Sequence, residues 1–70
     1  MSETETFSLN GEVCPLPRGA IVASVIDVLG RGRAGIAVAR NGAVVPRSAW
    51  EDTVLAPGDR VEIVTVTAGG

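Results

Sequence analysis

Two Asn-Gly pairs constrain the fold of this chain more than any other feature. Asn10-Gly11 and Asn41-Gly42 each separate two short apolar segments. Asn and Gly both tolerate the positive φ that a two-residue turn requires, so this pattern is the strongest short-range signal for a β-hairpin. The first predicted hairpin places Phe7 opposite Cys14. The predicted strands are residues 7–9 and 12–14 in the first hairpin, and residues 36–40 and 43–45 in the second.

The segment between the hairpins is rich in β-branched residues, so propensity alone does not assign it. Read with helical spacing, Ser24 and Asp27 share one polar face, and the opposite face is apolar. With strand spacing, Ser24 and Asp27 fall on opposite faces, and no polar side survives. The spacing therefore predicts a helix over residues 20–29 that ends at Gly30, although no Ser, Thr, Asp or Asn stands just ahead of it as a cap.

The remaining third of the chain predicts a turn, a loop and a strand. Ser48 and Glu51 have the spacing of a capping box, which indicates a short helical turn. Pro57-Gly58-Asp59 predicts a loop, and residues 60–67 predict a last strand. Strand pairs combined with one main helix indicate an α+β fold. We expect a β-grasp roll with a mixed sheet of four to five strands, in which the last strand runs beside the first.

The composition removes most catalytic and binding machinery. The chain has no His, Tyr or Lys, and all six positive charges are Arg, which stays protonated and is neither a nucleophile nor a proton shuttle. The net charge of −2 provides no basic surface for nucleic-acid phosphates. Cys14 alone forms neither an internal disulfide nor a metal cage. We expect no bound cofactor, no metal and no nucleic-acid partner.

The length and the terminal segments indicate a small cytoplasmic domain. Seventy residues form one domain, 1–70, and its core must be aliphatic because aromatic residues make up only 3% of the chain. The acidic start lacks the basic and apolar regions of a secretory signal. No segment is long and apolar enough to span a membrane. We expect a monomer when the protein is free, with residues 1–5 loosely ordered.

The Gly69-Gly70 pair at the end of the sequence has no structural use, since it neither packs nor caps. Residues without a Cβ let an extended tail enter a narrow channel in a partner's active site. The reactive group of such a tail, residues 68–70, is the α-carboxylate of Gly70. It must be activated, for instance as an acyl-adenylate made with ATP, before a sulfur nucleophile can attack it. The sequence therefore predicts a co-substrate of other enzymes, with Gly70 reacting and Ala68 and Gly69 bound by the partner.

Several segments together resemble the thiamine-biosynthesis sulfur carriers, the ThiS family, which have a ubiquitin-like β-grasp fold. The resemblance spans nearly the whole chain, and Ile21 departs from it by standing where a Thr or Ser often caps the helix. The segments are Asn10-Gly11-Glu12, Leu16-Pro17-Arg18-Gly19-Ala20, Val38-Ala39-Arg40-Asn41-Gly42-Ala43-Val44-Val45-Pro46-Arg47-Ser48-Ala49-Trp50, Leu55, Gly58-Asp59-Arg60-Val61-Glu62-Ile63-Val64 and Gly69-Gly70.

The resemblance implies a reaction sequence at Gly70. A ubiquitin-activating-like adenylyltransferase adenylates it with ATP. Sulfur that originates from cysteine, supplied by a cysteine desulfurase or another sulfurtransferase, then gives a thiocarboxylate, and thiazole synthase takes the sulfur. Alternatives that remain open are a carrier of the same design for molybdopterin or cysteine synthesis, a ubiquitin-like protein modifier, and a plain binding module.

Several side chains have two interpretations each. Cys14 is expected to pack in the core rather than relay sulfur, because the chain has no His or Lys to activate its thiol. Trp50 is expected to cover the core rather than serve as a partner hot spot. The default for Arg40, Arg47 and Arg60 is a solvated face.

Val64 and Val66 extend the apolar pattern to the second face of the last strand. Either the strand bulges or a neighbouring strand covers this side, or the two valines form an exposed strip on which the activating enzyme and thiazole synthase dock. The sequence favours neither.

Overall fold

A mixed β-sheet with a helix on one face organises the chain. The structure is a computed structural model that describes residues 4–30 and 32–66. Within these ranges, five strands form one sheet in the order β2-β1-β5-β3-β4, so β5 is the central strand. This confirms the predicted α+β β-grasp roll. The elements are β1 (Thr6–Leu9), β2 (Glu12–Pro15), α1 (Val22–Leu29), β3 (Ile36–Arg40), β4 (Ala43–Val45), a 3₁₀ turn (Arg47–Ala49) and β5 (Arg60–Thr65).

Both predicted hairpins are confirmed. Asn10 and Asn41 adopt φ values of 52° and 53°, and the glycine that follows each of them adopts 86° or 85°. Positive φ at both central positions is the conformation that fits the twist of the flanking strands. Phe7 pairs with Cys14, as the turn position predicts.

The helix begins at Val22, and the predicted start at Ala20 is wrong. Ile21 is extended, with φ −120° and ψ 164°, and the C=O of Ala20 accepts a hydrogen bond from the N–H of Leu55 at 2.9 Å. The cap comes from inside the helix, because Ser24 Oγ accepts from the Ile21 N–H at 3.0 Å and donates to the Ile21 C=O at 2.6 Å. The predicted end is confirmed, since Gly30 has a left-handed φ of 72°.

The predicted capping box of Ser48 and Glu51 is wrong, although the short helical turn itself is confirmed. Pro46 occupies the N-cap position and makes no side-chain cap, so Ser48 lies inside the turn. Burial of Trp50 fixes this arrangement. The indole is 2% exposed, and its Nε1 donates to the Val45 C=O at 2.9 Å.

The core lies between α1 and the inner face of the sheet. It is aliphatic apart from Phe7 and Trp50, as the composition predicts. Cys14 is half-buried against it, which confirms the packing interpretation of this thiol and likewise that of Trp50. In the described part of the chain, no helix has the length and apolarity to cross a membrane. The buried core residues are Phe7, Val22, Ala23, Val25, Ile26, Val38, Val45, Trp50, Leu55 and Val61.

Candidate functional site

The central strand β5 connects the core to residues 67–70. It pairs in parallel with β1, where Leu9 lies opposite Val61, and antiparallel with β3 along the whole length of that strand. The strand ends at Thr65, and Val66, which was predicted to belong to it, does not. The reason is that Thr65 is the partner of Ile36, the first residue of β3. Val66 is still held, since its N–H donates to the Gly35 C=O at 2.7 Å.

A buried carboxylate anchors the start of β5. Asp59 is 6% exposed. Its Oδ2 accepts hydrogen bonds from Arg40 Nε and the Ala56 N–H, both at 2.8 Å, and its Oδ1 accepts from Asn41 Nδ2 at 3.0 Å. Burial acts to raise the pKa of Asp59, but these three donors outweigh it and hold the pKa below its ordinary value. Asp59 is therefore ionised in the folded protein at neutral pH.

The expectation of a solvated face is wrong for Arg40, whose side chain is only partly exposed, whereas Arg47 is exposed, as expected. Arg40 forms the ion pair with Asp59, and the guanidinium of Arg47 lies 5.4 Å from the centroid of the Trp50 ring. Arg47 Nη2 also donates to the Arg33 C=O at 2.6 Å. Arg60 is exposed, as expected.

The middle of β5 is held by the side chain of Asn10. Its Oδ1 accepts from the Ile63 N–H at 2.9 Å, and its Nδ2 donates to the Ile63 C=O at 3.2 Å. The amide therefore pairs with Ile63 just beyond the point at which β1 turns away. Sequence analysis assigned Asn10 to the turn alone. A Gly-Gly or Asp-Gly turn gives the same hairpin signal, so the turn pattern does not reveal this second contact.

Val64 and Val66 lie on the outer face, away from the helix. Val61 and Ile63 face the core, whereas Val64 and Val66 are 57% and 52% exposed. The register against β3 runs without interruption from Val61 to Thr65, so the described strand has no bulge. Within residues 4–30 and 32–66 no strand lies over the two valines, which stay more than half exposed, and the bulge or covering strand is excluded there. We call this pair the outer strip.

The predicted reactive tail, Ala68, Gly69 and Gly70, lies outside the described residues. Its reach is nevertheless bounded. Gly70 lies four positions after Val66 in the sequence, and a fully extended chain spans at most about 14 Å over four residue steps. Among residues 4–30 and 32–66, no group of His, Cys, Asp or Glu side chains is arranged to hold a metal ion.

The strand order β2-β1-β5-β3-β4, with the helix on one face and the central strand leading toward Gly69-Gly70, defines a ubiquitin-like β-grasp protein. The ThiS family matches residues 5–70. The chain belongs to the ThiS family.

Two known proteins illustrate the relationship. The chain is 31% identical over 61 residues to the sulfur carrier protein ThiS of Escherichia coli (strain K12). The matched region covers 87% of this chain and 92% of that protein. It is also similar to the crystal structure of the thiamine biosynthesis protein ThiS from Geobacter metallireducens. The TM-score is 0.79 at 26% identity, over 93% of this chain and 99% of that chain.

Proposed function

We propose that this protein carries sulfur for the thiazole half of thiamine, through a thiocarboxylate at Gly70. The observation that carries the proposal is the family match, which runs from residue 5 to the final glycine on a fold whose central strand leads into the tail. A relative of similar length is a sulfur carrier. The protein is then a co-substrate, and its partners act on its C-terminus.

The proposed chemistry takes place at one carbonyl carbon. An oxygen of the Gly70 carboxylate attacks the α-phosphorus of ATP, and pyrophosphate leaves. The terminal sulfur of a persulfide on a sulfurtransferase attacks the acyl carbon of the resulting acyl-adenylate, and AMP leaves. A second thiol then cleaves the S–S bond of this acyl disulfide, so that the sulfurtransferase sulfur ends in a disulfide with that thiol and the thiocarboxylate of Gly70 is released. Without His or Lys, the chain offers few groups that exchange protons at neutral pH. The partner enzymes therefore provide the ATP site and the acid–base groups.

The outer strip is the proposed docking surface for the adenylyltransferase and for thiazole synthase. Val64 and Val66 are more than half exposed, and an apolar surface of this kind favours a partner contact. The contact also follows from reach. An active site that surrounds Gly70 lies within about 14 Å of Val66, so the enzyme body must approach this end of β5. We place these partners, and the carrier with them, in the cytoplasm.

Complementation tests the function. The gene is expressed in a bacterium that lacks its own thiazole sulfur carrier, and growth is measured without added thiazole. We expect growth with the native chain and none after deletion of Gly70. A parallel strain that lacks the molybdopterin carrier distinguishes that alternative. Growth with the deletion variant, or rescue of the molybdopterin strain alone, contradicts the proposal. Covalent attachment of the chain to other proteins in a lysate favours a protein modifier instead.

A further inference from the structure

The central strand β5 is longer than its pairing with β1, so its last residues have no neighbouring strand on the β1 side. The pairing of β1 ends where Leu9 meets Val61, and the chain then turns at Asn10-Gly11. The Asn10 side chain then bonds Ile63, the next residue of β5 whose backbone N–H and C=O point toward the β1 side. β5 continues to Thr65, which lies beyond both β1 and the Asn10 side chain.

The backbone groups of Thr65 point into this opening. Val66 donates its N–H to Gly35, on the β3 side. Successive residues of a strand direct their N–H and C=O groups to opposite sides. Ile63 directs both groups to Asn10, and Thr65, two residues on, directs its own groups to the same side. Among residues 4–30 and 32–66, no backbone hydrogen-bond partner meets Thr65 there.

A recess lies beneath this end of β5, on the helix side. Its volume is about 90 Å³. That is smaller than a cavity of about 150 Å³ that holds benzene, so it suits an aliphatic side chain and not a ring. Most of the wall surface is apolar, and its polar side chains are the Asn10 amide and the Thr65 hydroxyl. The walls comprise Ile26 and Leu29 of α1, Gly32, Ile36 of β3, Ile63 and Thr65 of β5, and Asn10.

We propose that the adenylyltransferase adds an extended segment to β5 at Thr65, in line with β1, and seats one aliphatic side chain in the recess. This inference rests on the proposed function. The occupant follows from reach, because the enzyme that surrounds Gly70 must come within about 14 Å of Val66. Strand addition obtains its affinity from main-chain hydrogen bonds and its specificity from pockets for alternate side chains. The residue of the added segment that pairs with Thr65 points its side chain to the same face of the sheet as Thr65. This is the helix side, where the recess lies.

Amide hydrogen exchange of the native carrier, with and without its adenylyltransferase, tests the inference. The Thr65 amide is expected to exchange at least about tenfold more slowly in the complex, because one main-chain hydrogen bond protects it. The control is Val44. The hydrogen-bonded pair of Arg40 and Ala43 closes the second hairpin, so the Val44 N–H points out from the β4 edge. Its exchange is expected not to change.

The outcomes separate this inference from the proposed function. ATP–pyrophosphate exchange is measured on the same samples. If adenylation proceeds while the Thr65 amide exchanges at the free rate, the inference is wrong and the carrier function stands. If adenylation itself fails, the proposed function is wrong. The Thr65 amide could instead exchange more slowly as the carrier concentration increases, with no enzyme present. That result would assign the backbone groups of Thr65 to a second copy of the chain and overturn the inference.

A proline pair provides the matched variants. Thr65→Pro removes an N–H that the fold does not use, and proline is tolerated where the N–H faces outward. We expect KM for the carrier in adenylation to rise about tenfold, since one intermolecular hydrogen bond is lost, with kcat unchanged. Val44→Pro removes an outward N–H at the far edge and should leave KM unchanged. Equal KM values for the two folded variants contradict the inference. If Thr65→Pro does not fold, the exchange measurement on the native chain decides.

Discussion

The side chain of Asn10 pairs with the backbone of Ile63 as a strand residue does. It accepts from the Ile63 N–H at 2.9 Å and donates to the Ile63 C=O at 3.2 Å. The two residues are 53 positions apart in the sequence. A turn residue of the first hairpin therefore fixes the strand that precedes residues 67–70 in the sequence.

The Asn10 contact predicts a specific loss in Asn10→Gly. Glycine keeps the positive φ of the turn but removes both side-chain hydrogen bonds, so we expect the free energy of unfolding to fall by about 1–2 kcal/mol. Asn10→Asp keeps the acceptor and loses the donor, so its free energy of unfolding should lie between those of the native chain and Asn10→Gly. Denaturant unfolding measures the loss, and faster exchange of the Ile63 amide locates it. Unchanged exchange at Ile63 in Asn10→Gly would contradict the assigned contact.

The ion pair between Arg40 and the buried Asp59 predicts acid sensitivity. The pKa of Asp59 is lowered in the folded state, so its contribution to stability is present above the unfolded pKa of about 3.9 and is lost as the pH falls through the folded pKa. Asp59→Asn should lower the free energy of unfolding at pH 7 by about 2 kcal/mol and flatten its dependence on pH below about 4.

The exposed residue Asp52 is the control for this experiment, and Asp52→Asn should leave both the stability and its acid dependence nearly unchanged. The free energy of unfolding of each variant is measured at intervals from pH 2 to pH 7. An acid profile of Asp59→Asn as steep as that of the native chain would show that another carboxylate is responsible.

The outer strip predicts a loss of activation without a loss of fold. Val64→Asp places a charge on a side chain that is 57% exposed, so the fold should persist while docking of the adenylyltransferase fails. Val13→Asp is the matched control, because Val13 is 75% exposed on β2, two strands away from β5. ATP–pyrophosphate exchange should be lost in the first variant and kept in the second. Equal rates in two folded variants would remove the outer strip as the docking surface.

Two serines test how the helical segments are capped. Ser24→Ala removes the hydroxyl that bonds both backbone groups of Ile21 and should lower stability by about 1 kcal/mol. Ser48→Ala, in the 3₁₀ turn, should have almost no effect, since Pro46 occupies the cap position there. Thermal unfolding of both variants checks this. A larger loss in Ser48→Ala than in Ser24→Ala would restore the capping box predicted from the sequence.

Local signals in the sequence predict most of the fold. The two turns need only the positive φ of Asn10 and Asn41 and of the glycines after them. The apolar spacing and Gly30 predict that the helix exists and where it ends, but not that it begins at Val22. These features act over a few residues, so a pattern can reveal them. The alternation along β5 likewise assigns its two faces, although only the structure shows that the outer face is open.

Long-range contacts could not be predicted in the same way. Arg40 meets Asp59 19 positions away, and that pairing depends on the register of β3 against β5. The capping box at Ser48 and Glu51 was predicted wrongly because the burial of Trp50 overrides the local signal. The tail is a third case. The chemistry proposed for it follows from the identity of Gly69 and Gly70, whereas the proposed partner contacts depend on surfaces that other proteins supply.

The central claim is that Gly70 carries the sulfur, and intact mass spectrometry tests it most directly. The chain is incubated with its adenylyltransferase, ATP and a sulfur source, and its mass is measured. The account predicts a gain equal to the difference between one sulfur atom and one oxygen atom, located at Gly70 by fragmentation and absent when ATP is omitted. An unchanged mass, while the same enzyme modifies a known carrier, would contradict it.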